Sequence, residues 1–93
     1  YMMRMETKAV RVAGVEDGFF CFVPDQDHEG YFLPYFFVIL DETKSLDEVK
    51  AGLADALEEY EYPVDIRVIK ERPYFHFKTN RKELTAAILE ELN

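Results

Sequence analysis

Apolar positions recur at helical spacing at the start of the chain, through Met2, Met5, Ala9, Val12 and Ala13, and predict a helix over 2–13 that Gly14 ends. The pattern then changes. Phe19, Phe20, Cys21, Phe22 and Val23 form an unbroken apolar run, as do residues 34–40, PYFFVIL. Runs without polar alternation predict strands covered on both faces. Asp17-Gly18 reads as a turn before the first strand, and the polar stretch DQDHEG at 25–30 as the loop joining an antiparallel pair. Ser45 with Glu48 three residues later has the form of a capping box. Leu46, Val49, Leu53, Leu57 and Tyr60 follow as one stripe. Gly52 inside that helix costs about 1 kcal/mol against alanine, which predicts a close packing partner there. Pro63 ends the helical unit, and residues 64–70 alternate Val64, Ile66 and Val68 with Asp65 and Arg67, as a strand with one wet face does. Arg72-Pro73 interrupts the strand, and residues 74–78 predict a short aromatic strand or hairpin arm. Asn80 and Glu83 suggest a second capping box, before a closing helix whose apolar face is Leu84, Ala87, Ile88 and Leu92. The order α-β-β-α-β-(β)-α makes an α+β fold, a small mixed β-sheet with helices packed on it.

A chain of 93 residues allows one small domain, 1–93, which buries roughly 60–65% of its extended surface. Hydrophobic residues make up 48% of the chain, too many for a disordered tail. The formal charge of −8 opposes general nucleic-acid binding, which needs a basic face. Residues 31–40 are the longest apolar run, about half a membrane span, and carry Pro34, so no membrane span and no signal peptide is predicted. The single cysteine, Cys21, excludes an internal disulfide and reads as core filler in a reducing, cytoplasmic setting. The first residue is a tyrosine, so the chain is expected to be a piece of something longer.

Few residues offer chemistry. DQDHEG has carboxylates at its first, third and fifth places and glycine at the sixth, as a calcium loop does, but Phe36 stands where such a loop needs a bidentate glutamate. It is read as a solvated hairpin loop. His28 is expected to be exposed and His76 to sit partly buried in a strand; the two are far apart, and no Cys or carboxylate lies near His76 at ligand spacing, so no metal is predicted. Ser45 is accounted for by its cap, and no glycine-rich phosphate loop exists in the chain. Lys78 remains, with Arg81 and Lys82 close behind it. From composition it is a surface lysine on a hairpin. Its functional reading is a cation presented to a phosphate or carboxylate. The same residues allow either a salt-bridged hairpin or an anion site.

The order of landmarks shifts the weight between these readings. Met5-Glu6 is followed nineteen residues later by Asp25 of FVPD, then by Gly30 and PYFFVIL, Ser45-Leu46, LEEYEYP at 57–63, a strand with Ile66 and Val68, Pro73 ten residues past Pro63, and KTNRKEL at 78–84. This succession resembles the small C-terminal domain of the adenylate-forming ligases, the AMP-binding or acyl-CoA synthetase superfamily. There the corresponding landmarks are I-E, a strand ending in P-D, G-E-x-P and a second strand, S-L, L-x-x-Y-K-V-P, I-x-x-V and P-x-T-x-x-G-K-I-D-R-x-x-L. The resemblance runs from Glu6 to Leu84 and lays Lys78 on the family's catalytic lysine. The chain departs from the pattern where Phe77 replaces the family's glycine and where YFHF replaces its threonine.

The resemblance implies a two-step reaction. A carboxylate attacks the α-phosphate of ATP, with magnesium, to give an acyl-adenylate and pyrophosphate. A thiol of coenzyme A or of a carrier protein then takes the acyl group. It implies too that the partner is an N-terminal adenylation domain of the same chain, which carries the nucleotide and acyl sites. The small domain is then a lid that swings between two poses, and the fragment alone is not active. A reading from another class stays open: a free-standing α+β interaction or regulatory module using the rings of Tyr31, Tyr35, Phe75 and Phe77.

Overall fold

A computed structural model describes residues 2–75 and 78–93, so the readings of His76 and Phe77 lie outside the described residues. The elements run α1 (Met2–Ala9), β1 (Val15–Pro24), β2 (Phe32–Leu40), α2 (Leu46–Ala56), a 3-10 turn (Glu59–Glu61), β3 (Asp65–Val68), β4 (Tyr74–Phe75), β5 (Lys78–Thr79) and α3 (Arg81–Leu92). Among the described residues β1, β2 and β3 form one sheet in that order, and β4 and β5 a separate hairpin. β1 and β2 are antiparallel, and β3 runs parallel to β2 after crossing over through α2. The sheet is therefore mixed and the class α+β, as the hydrophobic pattern predicts.

The two unbroken apolar runs are explained by what covers them. Phe20, Phe36 and Val38 pack with Met5 and Ala9 of α1 and with Val49, Leu53 and Leu57 of the α2 unit. Their neighbours Phe19, Cys21, Val23, Tyr35 and Phe37 point the other way and pack with Ile88 of α3. Successive side chains of a strand face opposite sides, so a strand with helices over both faces has no reason to alternate. Facing pairs reinforce the register: Phe19 stacks on Phe37 with centroids 5.2 Å apart, and Phe20 meets Phe36 at 4.7 Å.

Several local expectations are corrected. α1 ends at Ala9 rather than 13, and the chain then tightens through bonds from Arg11 N–H to Lys8 O and from Val12 N–H to Ala9 O. Two β-branched residues, Val10 and Val12, disfavour another α-turn there. Asp17-Gly18 is not a turn: it lies inside β1 beside a bulge, where the register shifts between Val15 and Asp17. Tyr60 leaves the α2 stripe and is 75% exposed, because Leu57 is already extended and breaks the helical period. α3 meets the sheet through Leu84, Ile88 and Leu89, leaving Ala87 and Leu92 exposed. Val68, at the end of β3, is half exposed. The Ser45–Glu48 capping box forms in both directions. The second box is half made: Asn80 Oδ1 accepts from Glu83 N–H, but Glu83 accepts from the Asn80 side chain rather than its backbone.

Gly52 does have its close partner, since a Cβ there would lie 2.6 Å from Val12 Cγ1. Gly14 is more constrained. It has φ +95°, and a Cβ would meet Lys44 Cβ at 2.6 Å and Val49 Cγ2 at 2.8 Å. Gly14→Ala is expected to destabilise the fold by about 2 kcal/mol, from left-handed backbone strain together with overpacking. A chemical denaturation midpoint measures it, and an unchanged midpoint would show that the turn rearranges freely.

Candidate functional site

The site is built on the β4–β5 hairpin. Tyr74 pairs with Thr79 and Phe75 with Lys78, and Asn80 N–H closes the base on Pro73 O at 2.7 Å. Asn80 then caps α3. The hairpin lies outside the main sheet, so side chains must tie it to the body. Arg72 makes the first tie. Its Nε and Nη2 donate to Asp17 Oδ2 and Oδ1 at 3.0 and 2.7 Å, and Nη2 also reaches Gly18 O at 3.2 Å. Its Nη1 donates to Thr79 Oγ1 at 2.7 Å, and the guanidinium carbon sits 4.9 Å from the centroid of Phe19. The planar fork of arginine suits this two-sided grip.

Arg81 makes the second tie, at the first position of α3. Its Nε donates to Phe20 O at 2.9 Å, and Nη2 to Glu6 Oε2 at 3.0 Å. The same Glu6 oxygen accepts Phe20 N–H at 2.7 Å. One carboxylate thus joins α1, the outer edge of β1 and the start of α3. The Met5-Glu6 and Arg81 landmarks, 75 residues apart, meet in a single ion pair.

Lys78 behaves differently. It is exposed at the start of β5, and no ion pair to it is found among the described residues. It lines an open groove of about 880 Å³ together with residues 79–83 and Ala86. Lys82 is exposed in the same wall. The alternatives of a salt-bridged hairpin and an anion site therefore divide by residue: Arg72 and Arg81 are engaged with the protein's own carboxylates and carbonyls, and Lys78 pairs with none of them among the described residues. An exposed ammonium over a groove can meet an incoming anion without first breaking an internal pair.

The other candidates do not join this site. His28 is exposed and bonded to Asp25 Oδ2 at 3.0 Å, in a loop where Asp25 also accepts Asp27 N–H. Cys21 is buried, and burial pushes its thiol pKa up, so it packs and does not react. Ser45 caps α2. Of the aromatics that would mark an interface, Tyr31 is 69% exposed while Tyr35 is buried; the ring of Phe75, and Phe77, lie outside the description. Among the described residues no three His, Cys, Asp or Glu side chains come together as a metal cluster. No helix there is long and apolar enough to cross a membrane. Sequence reasoning missed Asp17 and Arg72. A carboxylate beside an apolar strand and an arginine just before the hairpin proline were the available signals.

The Asp17–Arg72 pair carries a pH expectation. The hydrogen bond from Arg72 holds the Asp17 carboxyl below the usual carboxylate range, with the Gly18 N–H adding to it. A depressed acid stabilises the fold above its unfolded pKa, near 3.9, and that contribution is lost as pH falls through the lower folded value. The hairpin is therefore expected to hold at neutral pH and loosen below about pH 4. Amide exchange of Asn80 N–H against pH reports this directly. Protection that stays flat to acid beyond the Asp17 titration would contradict it.

No family model and no curated protein matches the chain by sequence. Solved structures match its fold. An acyl-CoA synthetase of Brucella canis superposes with TM-score 0.79 at 21% identity, over 99% of this chain and 18% of that one. A benzoate CoA ligase from Burkholderia xenovorans LB400 gives 0.69 at 26% identity, over 90% and 18%. The ATP-bound RpMatB-BxBclM chimera gives 0.74 at 18% identity, over 99% and 19%. The chain thus spans less than a fifth of the length of these proteins and has the fold of one small part of them.

Proposed function

We propose that this chain, residues 1–93, is the small C-terminal lid of an adenylate-forming ligase, and that Lys78 is the cation it brings to the reacting phosphate. The observation that carries the proposal is the division of labour at the hairpin. Two arginines fix it to the body, while Lys78 is exposed over an open groove whose lining carboxylate, Glu83, accepts from the Asn80 side chain, and no ion pair to Lys78 is found among the described residues. The match to ligase structures, each with most of its length in another part, supports the same reading. ATP is the expected nucleotide, one of the matched structures being ATP-bound.

The chemistry asked of Lys78 is electrostatic. A carboxylate oxygen attacks the α-phosphorus of ATP, the bond from that phosphorus to the bridging oxygen of pyrophosphate breaks, and acyl-adenylate and pyrophosphate form. Both reactants are anions, and negative charge accumulates on the phosphoryl oxygens. An ammonium at that point holds the two together and offsets the charge. Lysine suits a swinging element, being a compact charge on a flexible stem. In the second step a thiol, from coenzyme A or a carrier protein, attacks the acyl carbon and AMP leaves. The magnesium that the family resemblance implies finds no ligand cluster among the described residues of this chain. Its larger N-terminal partner domain would hold the ion, the acyl pocket and the rest of the nucleotide. A cytoplasmic setting agrees with a lone, free, buried thiol.

The test is the product ratio. The whole protein carrying this chain, given ATP and pooled aliphatic and aromatic carboxylates, is expected to release AMP and pyrophosphate one to one, dependent on the acids. Release of ADP and phosphate would overturn the reading. An absence of nucleotide cleavage would favour the interaction-module alternative.

A further inference from the structure

The hairpin has only two described residues on each arm, too little pairing to fix its own position. What fixes it is on its neighbour's side chain. Thr79 Oγ1 accepts from Arg72 Nη1, and the same guanidinium grips the β1 bulge through both carboxylate oxygens of Asp17 and through Gly18 O. Consecutive residues of a strand point to opposite faces. A Thr79 side chain held inward therefore turns Lys78 outward, where the structure has it exposed over the groove. The guanidinium itself is not the anion's partner: its side chain is 18% exposed and its charge is met by Asp17.

We infer that Arg72 is a positioning residue, which fixes Thr79 against the rigid β1 edge and so sets where Lys78 stands. The inference rests on the reading of Lys78 given above. It assigns Arg72, Asp17 and Thr79 one function: they convert a two-residue hairpin arm into a fixed mount for a catalytic ammonium. Positioning of this kind has large consequences, since a misplacement of about 1 Å can lower a rate by about a hundredfold.

The experiment is ATP–pyrophosphate exchange by the whole protein, with four variants read in two backgrounds. Arg72→Ala and Thr79→Val are expected to lower kcat about tenfold, with KM for ATP changed much less, because the interaction lost acts on placement in the transition state. Thr79→Ser keeps the hydroxyl and should restore near-parental kcat. Arg72→Lys keeps the charge without the fork and should be impaired like Arg72→Ala. In a Lys78→Ala background none of the four should lower the rate further, since the strut then has nothing to place. Thr79→Val leaves the Arg72–Asp17 tie intact, so it decides the matter should Arg72→Ala fail to fold.

If Lys78→Ala loses exchange while Thr79→Val keeps kcat, or multiplies with Lys78→Ala, the positioning role is overturned and the site reading stands. Full rescue by Arg72→Lys overturns it likewise, because charge alone would then suffice. If Lys78→Ala is itself without effect, the site reading fails and the inference fails with it.

Discussion

Lys78→Ala is expected to lower carboxylate-dependent ATP–pyrophosphate exchange by about 100- to 1000-fold, the range seen when one preorganised charge-stabilising donor is removed. The loss should fall on one half-reaction. On the proposed reading, exchange needs the ammonium at the α-phosphate, where two anions meet and charge accumulates. Transfer from preformed acyl-adenylate to a thiol no longer needs it there, so that step is expected to change by less than about threefold. Because Lys78 is exposed and makes no ion pair among the described residues, its removal should leave the melting temperature within about a degree or two of the parent. An inactive, fully folded variant is therefore the expected form. Equal loss in both half-reactions would mean that Lys78 serves the lid's movement in general rather than adenylation.

Glu6→Ala is expected to be the most damaging of the structural substitutions considered, costing about 3 kcal/mol. The carboxylate accepts Phe20 N–H and Arg81 Nη2 at 2.7 and 3.0 Å, in a partly buried seam between α1, β1 and α3. Alanine leaves the strand N–H without its acceptor and the guanidinium without its counter-charge. Hydrogen bonds to charged groups contribute about 1.5–3 kcal/mol each, and the pair adds less than the sum because Arg81 remains 32% exposed to water. For a domain of this size the loss corresponds to a fall of roughly 12–24 °C in Tm. Glu6→Gln can still accept from Phe20 N–H and should cost about 1 kcal/mol. Denaturation midpoints of the two variants check both figures. A Glu6→Ala variant within about 0.5 kcal/mol of the parent would show that the seam is held by packing alone.

What was legible in the sequence followed from local or periodic physics. The runs at 19–23 and 34–40 announced strands covered on both faces, and the fold has α1 and α2 on one side and α3 on the other. The Ser45 cap was legible because donor and acceptor are three residues apart. Asp17-Gly18 was misread because the same dipeptide serves a turn or a bulge, and only pairing with β2 selects the bulge. Tyr60 was misplaced because nothing in the apolar period marks where Leu57 turns extended. The hairpin's ties were illegible: Arg72 meets Asp17 across 55 positions and Arg81 meets Glu6 across 75, and like-looking arginines and lysines become different only once those partners are in place. Lys78 stood out by its place in a succession of landmarks, not by its immediate neighbours.

The central claim is that Lys78, and not the other cations beside it, meets the phosphates of ATP. An acyl-phosphate derivative of ATP, which passes its acyl group to lysines at the phosphate site, tests this on the whole protein, with the labelled residue located by mass spectrometry. The account predicts label on Lys78, little on the neighbouring Lys82 or Lys70, and protection by excess ATP. Label spread evenly over the three lysines, or label on Lys78 that ATP does not suppress, would contradict it.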